Sequence, residues 1–397
     1  MVRPHDLLPA CQAAAEFMRG IRRDLHAHPE LSTREHRTAK VIARTLAEIG
    51  LEVHEGVAET GVVGLLHGGR PGPWVGVRVD TDALPVQEAT GAEYASTVPG
   101  VMHACGHDAH VACGLGAARA LKDQAANLPG SVKFIFQPSE ELVSGAMRMI
   151  EAGVLDNPAP KAIVGFHVSP LHEVPSVVFS HGAKMAGTSC FEVRVTGRSG
   201  HAGYPHAAID PIPIAAHMVS ALQTVVSRRV DPTEPAVVSI GIIEGGTKAN
   251  IVAEVVRLVG TIRFFRSDLR AMLIDRMTEI VVGIGGAMGA QADIEFDEGT
   301  PPLVVDDEVT DRATAACQEA LGHEVVRRVD LRFMGGEDFA FMAERVPCTH
   351  FWLGVRSPGE AEWPSIHSPR FDIDEDCLPV GAAALAASAL GLMGGAG

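Results

Sequence analysis

A group of potential metal ligands lies in the stretch HACGHDAH, at positions 103–110. Cys105 and His107 are two positions apart, and the glycine between them lets the chain bend sharply. Further along, Glu140 and Glu141 are adjacent, and His167 follows an apolar run. Thiolates, imidazoles and carboxylates are the protein ligands of first-row divalent metal ions. These residue types therefore predict a metal centre.

The elements that must position these side chains are short apolar runs typical of buried strands. In open parallel sheets, ligands bind beyond the carboxyl ends of the strands. We therefore expect the polar residues that follow three such runs to meet at one edge of a sheet. The runs and the residues at their ends are 74–79 with Asp80 and Asp82, 132–136 with Glu140 and Glu141, and 162–166 with His167.

The order of predicted elements indicates an α/β fold with a mostly parallel sheet and helices on both faces. Between about 191 and 296 the pattern changes to β-α-β-β-α-β, which is typical of a ferredoxin-like domain. We therefore predict a discontinuous metal-binding domain over residues 1–183 and 299–397. The inserted domain is expected over residues 184–298.

Two local patterns predict helix starts in the first domain. Ser32-x-x-Glu35 fits a capping box at the start of a helix that ends at Gly50. A second helix is predicted near 139–152, which would place Glu140 and Glu141 in its first turn.

Composition narrows the functional classes. The chain of 397 residues has 33 basic and 49 acidic residues, a net charge of −16, which disfavours nucleic acid and anionic membranes as partners. The seven cysteines are scattered, which fits a reducing compartment without disulfides. No apolar segment follows the N-terminus, and the apolar stretch 378–393 is interrupted by Pro379 and Gly381, so it predicts a packed helix. We expect a cytoplasmic protein that acts on a small molecule.

Several motifs in order resemble the two-metal amidohydrolases and metallopeptidases of the aminoacylase type. This family includes hippurate hydrolase, N-acyl-amino-acid amidohydrolase and the plant hydrolases of indole-acetyl amino acids. The resemblance extends from about Ile21 to Asp374. The motifs are VDTDALP at 79–85, HACGHDAH at 103–110, QPSEE at 137–141, GRSGHAGYPHAAIDPI at 197–212 and GGEDFAF at 335–341.

The resemblance implies a role for each matching residue. It makes Glu140 the general base and Asp80 and Asp108 outer residues that orient ligands. It implies two divalent ions per subunit, either manganese or zinc, with cobalt or nickel as further options. The five implied metal ligands are Cys105, His107, Glu141, His167 and His367.

The inserted domain also contains candidate site residues. The resemblance implies that His201 reaches the active site of a partner subunit and polarises the substrate carbonyl, and that the insert mediates a homodimer or higher homo-oligomer. It also makes Asn250 a substrate contact. Arg263 is a candidate for binding a substrate carboxylate, and outside the insert the backbone N–H groups at Gly335 and Gly336 are another.

Two segments depart from the family pattern. Leu142 and Val143 stand where many relatives have glycines, and their bulk is expected to narrow the pocket beside the base. The segment from His181 to Lys184 also differs, and both changes are expected to alter substrate preference.

The sequence thus predicts hydrolysis of a linear, non-peptide amide bond by a metal-activated hydroxide. The expected substrate is an N-acyl amino acid, which yields a carboxylate and an amino acid. Three alternatives stay open: a dipeptidase or a deaminase with the same two-metal site, and a metal-binding protein without turnover. The presence of Glu140 beside the ligands favours catalysis over storage.

Overall fold

The computed structural model describes residues 2–394, which form two compact units. The first unit comprises Met1–Gly182, Val304–Leu331 and Phe341–Gly397. The second comprises Ala183–Leu303 and Arg332–Ala340. The second unit therefore includes residues 183 and 299–303 and a returning segment, 332–340, all of which the sequence analysis assigned to the metal-binding domain. Gly335 and Gly336 lie in this returning segment.

Sixteen strands are described. They are β1 (Glu52–Val57), β2 (Gly61–Leu66), β3 (Trp74–Asp80), β4 (Ser131–Gln137), β5 (Ile163–Glu173), β6 (Val177–Phe179), β7 (Gly182–Met185), β8 (Gly187–Thr196), β9 (Gly200–His201), β10 (Val237–Gly245), β11 (Ile251–Val252), β12 (Val255–Phe264), β13 (Gln291–Phe296), β14 (Leu303–Val305), β15 (Val326–Arg328) and β16 (Cys348–Arg356).

Ten α-helices accompany them, with short 3₁₀ turns at Pro4–Asp6, Ala125–Asn127 and Pro205–Ala207. The helices are α1 (Leu7–Ala13), α2 (Ala15–Ala27), α3 (His36–Ile49), α4 (His107–Asp123), α5 (Gly145–Glu151), α6 (Pro211–Arg229), α7 (Ser267–Ala287), α8 (Asp307–Leu321), α9 (Ala340–Ala343) and α10 (Cys377–Met393).

The first unit is built on an eight-stranded mixed sheet with the order β1-β2-β4-β3-β5-β16-β6-β15. Its four central strands, β4, β3, β5 and β16, run parallel to one another. Strands β3 and β4 are buried along almost their whole length, because side chains cover both faces of the sheet. This architecture confirms the predicted α/β class with a mostly parallel sheet.

Helix α10 is part of the core of the first unit. It is buried along nearly its whole length and packs against α4 and α8. Among residues 2–394, no helix combines the length and the apolarity needed to cross a membrane.

The second unit has its own four-stranded antiparallel sheet with the order β10-β12-β8-β13. Helices α6 and α7 cover one face and bury Met218, Leu222 and Met277 in a separate core. The chain order of its main elements is β8, α6, β10, β12, α7 and β13. This is the β-α-β-β-α-β order that the sequence pattern predicts.

Both predicted helix starts in the first unit were wrong. No helix begins at Ser139: residues 138–144, here called the Glu140 loop, form a turn, and α5 begins only at Gly145. Ser139 and Val143 adopt left-handed φ angles of 58° each, which an α-helix cannot contain. The capping box is also absent, because Ser32 and Glu35 bind partners elsewhere and α3 begins at His36 without a side-chain cap.

Candidate metal centre

Gly106 shapes the turn that carries Cys105 and His107. It adopts a left-handed φ of 83° and immediately precedes α4. A Cβ atom at this position would lie 2.6 Å from a methyl group of Val168, so the close approach of the neighbouring strand also requires glycine. The turn therefore places the Cys105 thiol and the first side chain of α4 beside β5.

The five implied ligands come together in the structure. They form overlapping groups with Glu140, and within each group one donor atom per residue lies within 4.8 Å of the others. The Sγ of Cys105 is 3.3 Å from Nε2 of His167, and Nε2 of His367 is 3.4 Å from Oε1 of Glu141. The groups are Cys105 with His107 and His167, Cys105 with Glu141 and His367, and His107 with Glu140 and Glu141. Cys105, His107 and Glu141 each belong to two of these three groups, which suits two neighbouring ions.

Hydrogen bonds orient two of the imidazole rings. Nδ1 of His167 donates to the carbonyl of its neighbour Val168 at 2.8 Å, which leaves Nε2 directed at Cys105. Nδ1 of His107 lies 3.2 Å from Oδ1 of Asp82, so Nε2 is its free donor atom. His167 differs in place from its prediction, since β5 continues to Glu173 and the residue lies inside the strand.

Buried polar atoms without hydrogen bonds support metal binding at this position. Within residues 2–394, Nε2 of His107 is buried and has no hydrogen-bond partner, and the buried Oε1 of Glu141 lies 3.4 Å from Nε2 of His367 without a hydrogen bond of good geometry. Burial raises the pKa of the Cys105 thiol, and the nearby Glu141 carboxylate raises it further. A bound divalent cation would stabilise the thiolate and so lower the pKa of Cys105. It would also coordinate Nε2 of His107 and Oε1 of Glu141. The residues therefore fit a metal centre.

Asp82, which the sequence analysis placed at the sheet edge without assigning it a role, is a site residue. Its Oδ1 accepts from the backbone N–H of Glu140 and its Oδ2 from that of Glu141, both at 3.1 Å. It also contacts His107, so a single buried carboxylate orients a ligand and supports the Glu140 loop. The sequence feature that could have identified Asp82 is its position two residues after Asp80, just beyond the end of a strand.

Asp80 and His110 lie beside the centre with their polar atoms occupied. Nδ1 of His110 donates to Oδ1 of Asp80, and Nε2 accepts from the N–H of Val168 at 3.0 Å. Arg78 donates to the other Asp80 oxygen at 2.9 Å. Burial lowers the pKa of His110 to about 4, in keeping with a neutral ring. Asp80 Oδ1 is 3.8 Å from Nε2 of His107, close enough to influence that ligand.

Asp108 makes its contacts on the side of helix α2. Its Oδ2 accepts from Nε of Arg22 at 2.9 Å and contacts Nδ1 of His26 at 2.8 Å. Burial opposes ionisation of Asp108, but Arg22 and His26 hold its pKa well below the usual range. The role of Asp108 as an outer residue of the metal centre stays a prediction.

The candidates from the inserted domain lie in the second unit. His201 is exposed on β9, opposite Ile251, and the carbonyl of Asn250 accepts from the N–H of Ala202 at 3.1 Å. These two candidates therefore share one exposed corner of the unit. Arg263 is a half-buried residue of β12. A Cβ on Gly336 would lie 2.6 Å from a methyl group of Thr188, which gives this glycine a packing role.

Comparisons with known proteins agree with this geometry. A family model described as peptidase family M20/M25/M40 matches residues 76–390. An N-acetylcysteine deacetylase of Bacillus subtilis (strain 168) is 40% identical over 361 residues, covering 91% of this chain and 92% of that protein. Thermostable carboxypeptidase 1 of Saccharolobus solfataricus is 40% identical over 370 residues, covering 92% of each.

A solved structure extends the similarity to the fold. A dinuclear metal binding peptidase from the M20 family of Bacillus subtilis matches with a TM-score of 0.83 and 35% identity, covering 96% of this chain and 99% of that one. The resemblance inferred from the motifs is thereby confirmed.

Proposed function

The chain belongs to the peptidase family M20/M25/M40, a family of hydrolases, and on that basis we propose that it hydrolyses N-acyl amino acids. The bond cleaved is a linear amide, and the products are a carboxylate and a free amino acid. Glu140 is the general base. Two divalent ions are held by Cys105, His107, Glu141, His167 and His367. The ions are manganese or zinc, with cobalt or nickel as further options.

One observation carries this proposal: five potential ligands from distant parts of the chain converge, with a further carboxylate among them. Glu140 is 92% buried, and one of its oxygens lies within 4.8 Å of donor atoms of His107 and Glu141. An apolar core does not need such a set, because buried polar groups without partners are costly. A storage site would need the ligands but not the additional carboxylate.

Each residue has a defined task in the reaction. When bound, divalent ions at these ligands would lower the pKa of a water molecule toward neutrality and polarise the substrate carbonyl. Glu140 accepts the proton from the attacking water and then donates it to the amide nitrogen as the C–N bond breaks. Asp82 keeps the His107 ring and the Glu140 loop in place during both transfers.

The relatives support two substrate classes. The similarity to an N-acetylcysteine deacetylase favours N-acyl amino acids, and the similarity to a carboxypeptidase keeps peptide bonds as the second candidate. A panel of N-acyl amino acids, N-aroyl amino acids and dipeptides, assayed with manganese or zinc, separates the two. Higher kcat/KM on dipeptides than on N-acyl amino acids would overturn the substrate proposal.

We also propose that the second unit forms a homodimer and supplies His201 to the partner subunit. Mixing inactive His201→Ala chains with inactive Glu140→Gln chains should restore part of the activity, because one of the two sites in a mixed dimer is then complete. A monomeric mass in light scattering, or no recovery in the mixture, would contradict this arrangement.

The decisive experiment on catalysis compares two neighbouring carboxylates. Glu140→Gln should lower kcat by about 100-fold or more, because the amide cannot accept the proton, and should keep two ions per subunit. Glu141→Gln, the matched control, should lose bound metal as well as activity. Metal content by elemental analysis and kcat on the best substrate measure both effects. Retained activity in Glu140→Gln would refute its role as the base.

A further inference from the structure

Glu35 is a fully buried carboxylate that accepts three hydrogen bonds, all from uncharged groups of Ser139 and Thr60. Its Oε1 accepts from the backbone N–H of Ser139 at 2.9 Å and from the Ser139 hydroxyl at 3.3 Å. Its Oε2 accepts from the hydroxyl of Thr60 at 2.8 Å. Burying a carboxylate is costly, so the bonds it makes indicate what it is there to hold.

Two of these bonds hold a residue in an unfavourable conformation. Ser139 has a φ of 58°, and the left-handed region costs a residue other than glycine roughly 1–2 kcal/mol. The Ser139 hydroxyl also accepts from the N–H of Thr33 at 2.9 Å. The segment before α3 therefore forms hydrogen bonds with both the backbone and the side chain of Ser139.

The next two residues, Glu140 and Glu141, form hydrogen bonds with Asp82. Its two oxygens accept from the N–H groups of Glu140 and Glu141, and the hydroxyl of Ser32 donates to it at 2.7 Å. Three successive backbone N–H groups, from 139 to 141, thus end on two buried carboxylates. These bonds restrict rotation of the peptide planes that set the directions of the Glu140 and Glu141 side chains.

We propose that Glu35 is a positioning residue for the Glu140 loop: its carboxylate fixes the left-handed turn at Ser139 from which the general base projects. This inference rests on the proposed function of Glu140. Asp82 binds the N–H groups of both Glu140 and Glu141. Glu140 directly follows Ser139 and Glu141 is one residue further along, so loss of Glu35 displaces the base more than the metal ligand. The expected consequence is a loss of kcat without a loss of bound metal.

The test compares Glu35→Gln with Thr60→Val in the full chain. Glu35→Gln weakens the hydrogen bonds to Ser139. The variant should lower kcat by about 10- to 100-fold, because a displacement of a catalytic group by about 1 Å slows the reaction by that order. KM and the metal content per subunit should stay unchanged. Thr60→Val removes the other bond of the same carboxylate and should leave kcat close to that of the parent.

Hydrogen exchange gives a readout that does not depend on activity. In Glu35→Gln the backbone amides of residues 139–141 should exchange at least about tenfold faster, whereas in Thr60→Val they should exchange as in the parent. If Glu35→Gln does not fold, Ser139→Ala replaces it: this variant cuts the hydroxyl bonds and should show a smaller change of the same kind.

The outcomes separate the two proposals. An inactive parent with faster exchange in Glu35→Gln would remove the proposed function and keep the role of Glu35 in holding the loop. An active parent whose variants show unchanged kcat and unchanged exchange would overturn the role of Glu35. An equal loss of kcat in Thr60→Val would also overturn it, since burial of the carboxylate would then matter more than its bond to Ser139.

Discussion

Val143, in the Glu140 loop, is β-branched and yet has a left-handed φ of 58°. Its side chain is exposed, so core packing does not compensate for the strain. Strain of this kind persists where the surrounding structure enforces it, and it concentrates at functional sites. Val143 lies two residues after the Glu141 ligand, within the Glu140 loop.

A glycine at this position should therefore be tolerated. Val143→Gly relieves roughly 1–2 kcal/mol of left-handed strain and adds about 0.5–1 kcal/mol of chain entropy to the unfolded state. We expect the free energy of unfolding to stay constant or to rise by up to about 1.5 kcal/mol, as measured by urea denaturation. Val304→Gly, an exposed valine in a strand, is the control and should destabilise the protein. Equal losses in both variants would show that Val143 is not strained.

At the scale of elements, buried charges join helix α2 to the first turn of α4. Arg22 and His26 on α2 both contact Asp108, the residue after the His107 ligand. His26 also lies 3.3 Å from a carboxylate oxygen of Glu88. Burial lowers the pKa of His26, but the contacts with Asp108 and Glu88 outweigh it and raise the pKa to about 9.

This shift predicts a pH-dependent contribution to stability. A raised pKa in the folded state stabilises the protein fully below the unfolded value of about 6.5, and the gain is lost as the pH rises through about 9. His26→Gln should therefore destabilise the protein most near pH 6, by about 3 kcal/mol at the upper limit, and least near pH 9.5. Urea denaturation at the two pH values measures the difference. His36→Gln, an exposed control, should change the free energy of unfolding by less than about 0.5 kcal/mol at both pH values. A loss of stability in His26→Gln that does not depend on pH would contradict the link between the raised pKa and stability.

At the scale of the whole molecule, the ligands connect parts of the first unit that are far apart in sequence. Cys105 and His107 flank the start of α4, His167 lies in β5, and His367 follows β16. His367 has a positive φ, and its N–H donates to the carbonyl of Ala104 at 2.7 Å. Bound metal would therefore link the C-terminal segment to the central sheet.

Metal removal should lower the thermal stability of the protein. An ion that binds only the folded state at 100 times its dissociation constant contributes about 2.7 kcal/mol. We expect calorimetry to show a lower Tm after chelation and recovery with manganese or zinc. His367→Ala, which loses a half-exposed ligand and should still fold, is expected to lose most of this stabilisation. An equal rise in Tm in that variant would indicate binding elsewhere.

The sequence by itself determined the elements of the central sheet and the residue types at their ends. Alternating and continuous apolar runs are local signals. The bounds of strands β3 and β4 agree with the predicted runs to within one residue at each end. The motifs around Cys105 and Glu140 likewise indicated the family, and the match over residues 76–390 confirms it. These features depend on neighbours in the chain, which a single sequence displays.

Only the tertiary structure decided what Ser32, Glu35 and Asp82 do. In sequence, Ser32 and Glu35 have the spacing of a capping box, but each binds a partner 50 or more residues away instead. A carboxylate accepts several hydrogen bonds, and the donors it binds are those that the fold brings to it. The helix predicted at 139–152 exists as α5, but its predicted start was wrong for the same reason: contacts from distant residues hold Ser139 in a conformation that local propensity disfavours.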